Sequence, residues 1–568
     1  MGAMEGQAPE VKGGAAYYGA AMRPPASASA PLLALLSACV AATAAPPPPH
    51  PGTHADLVAL FSEWRAFQKP KLVDGVPDYS PAAMAAQQQA LPAFRQRLQS
   101  LEPGGWPVPQ QVDWHLVRAE MNGLDFDHRV LRPWANNPAF YVIVFDDQSD
   151  QPAREGPFAL GAIELWQLAF PLAPEPAKAL AAQLSHIPAL LQQARGNLTG
   201  NGRDLWVYGA RAVKGQAEIL EKLGAQVASQ PALAAAVQAA RAATVEFAAW
   251  VDAQAKSKTG PSGVGVDNYD WYLANVQLLP YTWADEVTLM EREFARARAG
   301  LALEEQRNKK LPPQLPVASA EEHARRFPPA ITEYMAFLKD HEVLTLRDWL
   351  EPALRAKIGH YTDKRPLEFF TEVDYRDPVA LRTHDYHWFD LAWAVHEPHP
   401  SPIRRGALLY NLFNTRTEGF ATAMEELMMH AGLFEARPRS RELIYLLVAM
   451  RAARALGDLR MHANQLTLEQ AAASAAASTP RGWLRLENAT VWFEQHLYLQ
   501  QPGYGTSYLI GKAEIDKLLA ERARQLGDGF TLRRFFDELN ATGMIPATMV
   551  RWELGGMSDD VARVVKAR

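Results

Sequence analysis

From Asp56 to the C-terminus, apolar residues recur at the three-to-four spacing of an α-helix, and this periodicity constrains the chain more than any other feature. The segments that carry it are rich in Ala, Leu, Glu and Arg, residues that lose little freedom in a helix. They are clearest over 82–98, 176–194, 231–255, 283–305, 405–433 and 441–463. Alternating patterns are scarce, with 140–145 the best short β candidate, and no fixed period repeats. The expected class is mostly α, a large multi-helix assembly with few or short β-strands.

The first fifty residues read differently. Arg23, the apolar run 31–36 and the small residues Ser37, Ala38 and Cys39 form a positive n-region, an h-region and a cleavage zone. Leu36-Ser37-Ala38-Cys39 resembles the lipobox of bacterial lipoproteins, in which the cysteine is acylated; the alternative is an ordinary signal cut near Ala44 or Ala45. Either reading predicts export to the periplasm or the outer membrane, with membrane contact only through a lipid on Cys39. Residues 1–45 are then an over-extended start plus signal, and 46–55, with four consecutive prolines, a stiff tether. Cys39 is the only cysteine among 568 residues, so a mature body has none left for thiol catalysis or cysteine-ligated metal. A net charge of −6, without basic clusters, predicts no nucleic-acid partner. After the leader no eighteen-residue stretch is apolar and uncharged, so no transmembrane bundle is expected.

Pro and Gly breaks near 256–265 and 311–318 divide the rest. The second separates an Ala-rich scaffold, 56–315, from a C-terminal half, 316–568, that holds 10 of the 15 histidines. Within that half, His384, His387, His396, Glu397 and His399 lie close in sequence. His-Glu at 396–397 suggests the start of a zinc-protease helix, yet Pro398, Pro400 and Pro402 forbid a regular helix beyond Glu397. Glu418, Thr422 and Glu425 share one stripe of the next helix, and Arg451, Arg454, Asp458 and His462 draw a polar line through an apolar one. After a Pro502-Gly503 break, Tyr504, Tyr508 and Lys512 stand one turn apart, hydroxyls and an ammonium suited to a carbonyl oxygen or a carboxylate.

This order of motifs, over roughly 375–550, resembles domain-of-unknown-function family 885. The resemblance implies an all-helical, zincin-like metallopeptidase, often exported or lipid-anchored. The family pattern runs His-Glu-x-x-Pro-Gly-His, Glu-Gly-Trp, a helix ending in Asp and His, then Pro-Gly-Gln-x-x-Ser-Tyr-x-x-Gly. His396 matches the first metal ligand, Glu397 the general base, Glu418 with Gly419-Phe420 the ligand segment, Asp458 and His462 the helix pair, and Ser507-Tyr508 the final motif. Pro402 falls where the second histidine stands, and His399, His384 and His387 are the candidates to replace it. The implied site has zinc on His396, Glu418 and His399, with Glu397, Tyr508, Tyr504 and His462 as catalytic groups and Arg454 and Lys512 binding a peptide or amide substrate. The alternative is a degenerate relative that binds a ligand or partner in the envelope without turnover.

Overall fold

A computed structural model describes residues 52–566. The lipobox cysteine, the signal segment and the tether prolines lie outside the described residues. Helices dominate, and their starts are written in the sequence. Thr53 accepts from the Asp56 amide while Asp56 accepts from the Thr53 amide, a reciprocal cap that opens His54–Phe67. Thr282 with Asp285 does the same for Trp283–Arg307, and Thr467 with Gln470 for Leu468–Ser478. Proline leads Pro81–Gln99, Pro174–Ser185 and Pro231–Ala255, where a missing amide costs nothing. Among the described residues β-structure is confined to two tiny sheets, Leu72–Val73 antiparallel to Val76–Pro77 and Val144–Phe145 parallel to Ile163–Glu164, and one isolated bridge between Gly202 and Gly260.

Three expected elements come out altered. The 176–194 segment is two helices, Pro174–Ser185 and Ile187–Asn197, because Pro188 lacks the amide that a continuous helix would use there. The strand at 140–145 is reduced to Val144–Phe145, preceded by a 3-10 turn, Pro138–Tyr141. The 405–433 helix begins only at Asn414, since Tyr410 and Asn411 both take left-handed backbone angles (φ 56° and 53°).

The largest core takes side chains from both sides of residue 315: Leu57, Trp64, Val112 and Phe126 pack in one cluster with Leu338, Phe389, Phe420 and Leu446. A second cluster, running from Val76 to Val251, belongs to the N-terminal half alone. The 311–318 segment is thus a connection between Trp283–Arg307 and Ala320–Asp340, across which the main core continues.

Two helices in this core touch backbone to backbone. A Cβ on Gly419, in Asn414–His430, would fall within 3.0 Å of Gly511 in Tyr504–Leu526, and one on Gly511 within 3.0 Å of the Thr415 carbonyl. Ordinary helix pairs keep their axes about 8–10 Å apart, room that side chains fill; glycine at both positions removes that spacer. On an exposed helix, Gly→Ala stabilises by about 1 kcal/mol. Gly511→Ala is expected to do the opposite, lowering stability by about 3 kcal/mol through overpacking, read as a lower urea midpoint. A neutral or stabilising result would mean that the two helices are not seated this closely.

Candidate metal centre

The glycine contact decides where Glu418 goes. One residue before Gly419, it is carried into the core beside Tyr504, whose hydroxyl donates to Glu418 Oε1 at 2.6 Å. Gln151, from the loop after Val144–Phe145, donates to the same oxygen at 3.0 Å and accepts from the Thr417 hydroxyl at 2.6 Å. The other oxygen, Oε2, faces His387 Nε2 at 3.3 Å. Neither of these two buried atoms has a hydrogen-bond partner. His384, on the turn before Tyr386–His396, completes a group whose ligating atoms all lie within 4.8 Å of one another. It is the one set of three or more His, Cys, Asp or Glu side chains among the described residues arranged to hold an ion.

Electrostatics sharpen the arrangement. Burial alone would push the His387 imidazole down, but the charges of Asp150 and Glu418 outweigh it and lift it to about 9. Burial would raise Glu418, but His387, His384 and the Tyr504 hydroxyl bring it to about 2. The site concentrates negative charge and draws a cation, which here is the imidazolium itself. The same chemistry suits a metal ion. Two atoms each about 2.0–2.1 Å from one tetrahedral ion stand about 3.3 Å apart, and His387 Nε2 and Glu418 Oε2 have that separation. Two unpartnered ligand atoms at a ligand–ligand distance are the observation by which the residues fit a metal.

Around them, Glu425 is bridged by both arms of Arg451 at 2.7 Å and approaches His384 Nδ1 at 3.1 Å. Thus the stripe of Glu418 and Glu425 does face inward, toward the two histidines. Tyr508 stands against Tyr504 (ring centres 5.9 Å) and beneath Arg451 and Arg454. Burial, then the charge of Glu418, keeps both phenols protonated. Glu155, on the Gln151 loop, is pushed up to about 7 by burial and by the neighbouring charges of Asp150 and Glu418.

Other expected members are elsewhere. The Tyr386–His396 helix ends where the prolines require, leaving His396 exposed and stacked on Trp349 at 4.9 Å. Glu397 is exposed and paired with Arg347 at 2.6 Å, which holds its carboxyl below the usual range. His399 sits by Gly543, its Nδ1 accepting from the Ser401 amide at 3.1 Å. None of the three belongs to the Glu418 group, because the chain leaves the core at the first proline. Lys512 also turns away, to Glu426 at 3.0 Å and Asp516 at 2.6 Å. Arg454 is buried and paired with Glu494 at 2.5 Å. His462 has both ring nitrogens engaged by backbone: Nε2 lies 3.0 Å from the Tyr498 carbonyl and Nδ1 accepts from the Val264 amide at 3.4 Å. Its Nε2 also lies 3.3 Å from Asp458 Oδ1, and none of these partners belongs to the Glu418 group.

Gln151 and Glu155 were not visible as site residues in the sequence, since a loop has no period; the run Asp146-Asp147-Gln148-Ser149-Asp150, ahead of Glu155, was the available signal.

The model of a family described as bacterial protein of unknown function (DUF885) matches residues 67–385 and 387–554. The chain belongs to this family. Two solved structures share the fold. A candidate lipoprotein of unknown function from Shewanella oneidensis superposes with a TM-score of 0.64 at 16% identity, covering 88% of this chain and 99% of its own. A candidate lipoprotein from Colwellia psychrerythraea gives 0.59 at 15%, covering 91% and 100%. No curated protein matches the chain.

The histidine at 462 offers a test of the packing around the site. Burial holds its pKa down to about 4, from 6.5. The unfolded chain therefore takes up a proton below pH 6.5 that the folded chain refuses until about pH 4. Stability contributed by neutral His462 is complete above pH 6.5 and is lost as pH falls toward 4, about 3 kcal/mol over that window. Urea unfolding at a series of pH values is expected to show His462→Gln losing correspondingly less; equal slopes would place the residue in solvent.

Proposed function

We propose that this family member is an exported, metal-dependent hydrolase of peptide or related amide bonds, with its ion held by His384, His387 and Glu418. The observation that carries the reading is the pair His387 Nε2 and Glu418 Oε2, 3.3 Å apart beside His384, with no hydrogen bond to any other group. A bound zinc ion would lower the pKa of a coordinated water and polarise a substrate carbonyl. Glu418 holds its orientation through Tyr504 and Gln151, which fix Oε1 and leave Oε2 for the ion. Glu155, with a pKa near neutrality, is suited to take a proton from the attacking water and return it to the leaving amine. Glu397, tied to Arg347 at the surface, has no such place. Tyr508, kept protonated, is suited to donate to a developing oxyanion. The buried Arg451–Glu425 pair steadies His384 from behind. Arg454, next to Tyr508, remains a candidate for a substrate carboxylate once its pairing with Glu494 is shared.

Export rests on the leader and lipobox in the sequence, and the fold shared with two candidate lipoproteins agrees with an anchored envelope protein. Among the described residues no helix is long and apolar enough to cross a membrane.

A second reading has its own support. His387 and Glu418 already neutralise one another as an ion pair, which suits a metal-free binding protein. Metal content by mass spectrometry, on protein purified without chelator or nickel resin, separates the two. Near-stoichiometric zinc in the parent and in Glu397→Ala, with none in His387→Ala or Glu418→Ala, is the expected result; no metal in the parent, even after zinc is supplied, leaves the binding protein. In a metal-loaded enzyme assayed against a peptide library, Glu155→Gln is expected to keep its metal and lose about 10²–10⁴-fold in kcat. Unchanged turnover would remove Glu155 from the mechanism.

A further inference from the structure

The Val108–Phe126 helix does not end where its hydrogen bonding first loosens; it widens into a π-helical turn, Asp127–Leu131. Such turns cost regular hydrogen bonding and cluster at functional positions. This one aims Asp127 into a cavity of about 390 Å³ walled by Tyr79, Trp134, Phe140, Phe158, Tyr272 and Tyr410. The facing wall is strained as well. Tyr410 and Asn411 hold consecutive left-handed backbone angles, and the Tyr410 ring lies so close to Gly123 that no Cβ would fit between them. Two local departures from regular backbone, one on each side, shape the same space.

What the cavity lacks is a partner for its acid. The Asp127 carboxylate makes no hydrogen bond or ion pair among the described residues, and burial alone, with no cation to offset it, pushes its pKa up to about 8. The neighbouring hydroxyls bond elsewhere and none donates to it: Tyr79 accepts from the Leu160 amide at 2.8 Å and Tyr272 donates to the Tyr410 carbonyl at 3.4 Å. The two arginines on the cavity wall are committed too, Arg65 to Glu120 at 2.8 Å and Arg154 to Glu164 at 2.7 Å, while Lys69 stands exposed at the rim. Asp127 is half-buried among these rings, and a half-buried carboxylate without a protein donor gains from a ligand that supplies one.

We infer that this cavity is a binding site for a small organic cation, an ammonium group carried on an apolar or aromatic body. The ammonium would supply Asp127 with both a charge and a donor, and an aromatic lining is a surrounding in which a cation can be attracted to the rings as a neutral group of the same shape is not. An anion is disfavoured by the same carboxylate, and a neutral alcohol can offer a hydrogen bond but no charge. The site uses none of His384, His387 or Glu418, so it stands whether or not the hydrolase reading does.

Titration calorimetry on the full chain at about pH 8 tests it, with three probes of one size: phenethylammonium, 2-phenylethanol and 3-phenylpropanoate. Phenethylammonium is expected to bind at least about tenfold more tightly than the alcohol, a difference of about 1.4 kcal/mol, and the carboxylate not at all. Asp127→Asn is expected to abolish that preference while leaving metal content unchanged. The inference is overturned if no probe binds, if the alcohol matches the ammonium, or if Asp127→Asn binds the ammonium as the parent does. Should the variant fail to fold by circular dichroism, the ammonium-to-alcohol ratio on the parent decides alone.

Discussion

Everything at the centre of this molecule depends on two glycines. Gly419 and Gly511 let the Asn414–His430 and Tyr504–Leu526 helices meet without side chains between them. That contact delivers Glu418 to the Tyr504 hydroxyl and swings Glu425 toward Arg451. Close approach brings polar groups into the core, and burial makes each of them expensive unless it is paired. The pairs follow: Arg451 on Glu425, Arg454 on Glu494, Arg416 on Asp390, and Asp458 accepting from the Gly505 amide. Once those obligations are met, His387 Nε2 and Glu418 Oε2 are left facing one another, which is why the reading of a metal centre begins with them.

Histidines in this fold show how far environment overrides residue type. His387 and His462 are both fully enclosed. Acidic neighbours lift His387 toward a charged form, whereas burial holds His462 neutral although Asp458 Oδ1 lies 3.3 Å from its Nε2, because burial raises that carboxyl far above its usual range and keeps it protonated. Equal burial therefore produces opposite charge states, with the difference lying in what stands beside each ring. The loop that follows Val144–Phe145 belongs to the same logic. Gln151 bonds Glu418 at the candidate metal centre and Glu155 is close enough to feel that carboxylate's charge, while Ala153, Arg154 and Gly156 line the aromatic cavity of Asp127. One irregular segment, held on a helical scaffold, thus borders both sites.

Much of the fold was legible in the chain. Helical periodicity and propensity placed the 82–98, 231–255, 283–305 and 441–463 helices to within a few residues, because these are local properties of hydrogen bonding and side-chain entropy. The helix stop after His396 was equally local, set by prolines at alternate positions. That Glu418 and Glu425 share one face was readable for the same reason, since 100° per residue aligns them; that the face points inward was not.

By itself, then, the sequence determined a mostly helical body, the approximate extent of its longest helices, and that Glu418 and Glu425 share one helix face. Only the tertiary structure decided which histidines meet it. His396 and His399 are nearer to Glu418 in sequence than His384 and His387 are, but they lie at and beyond the proline-terminated end of the Tyr386–His396 helix, where the chain leaves the core. His384 and His387 enter at the other end of that helix, where the glycine contact has already placed the carboxylate. Spacing along a chain sets which residues share a face; which faces meet is settled by packing between distant segments, and that packing also recruited Gln151, Glu155 and Asp127, which no local pattern had marked.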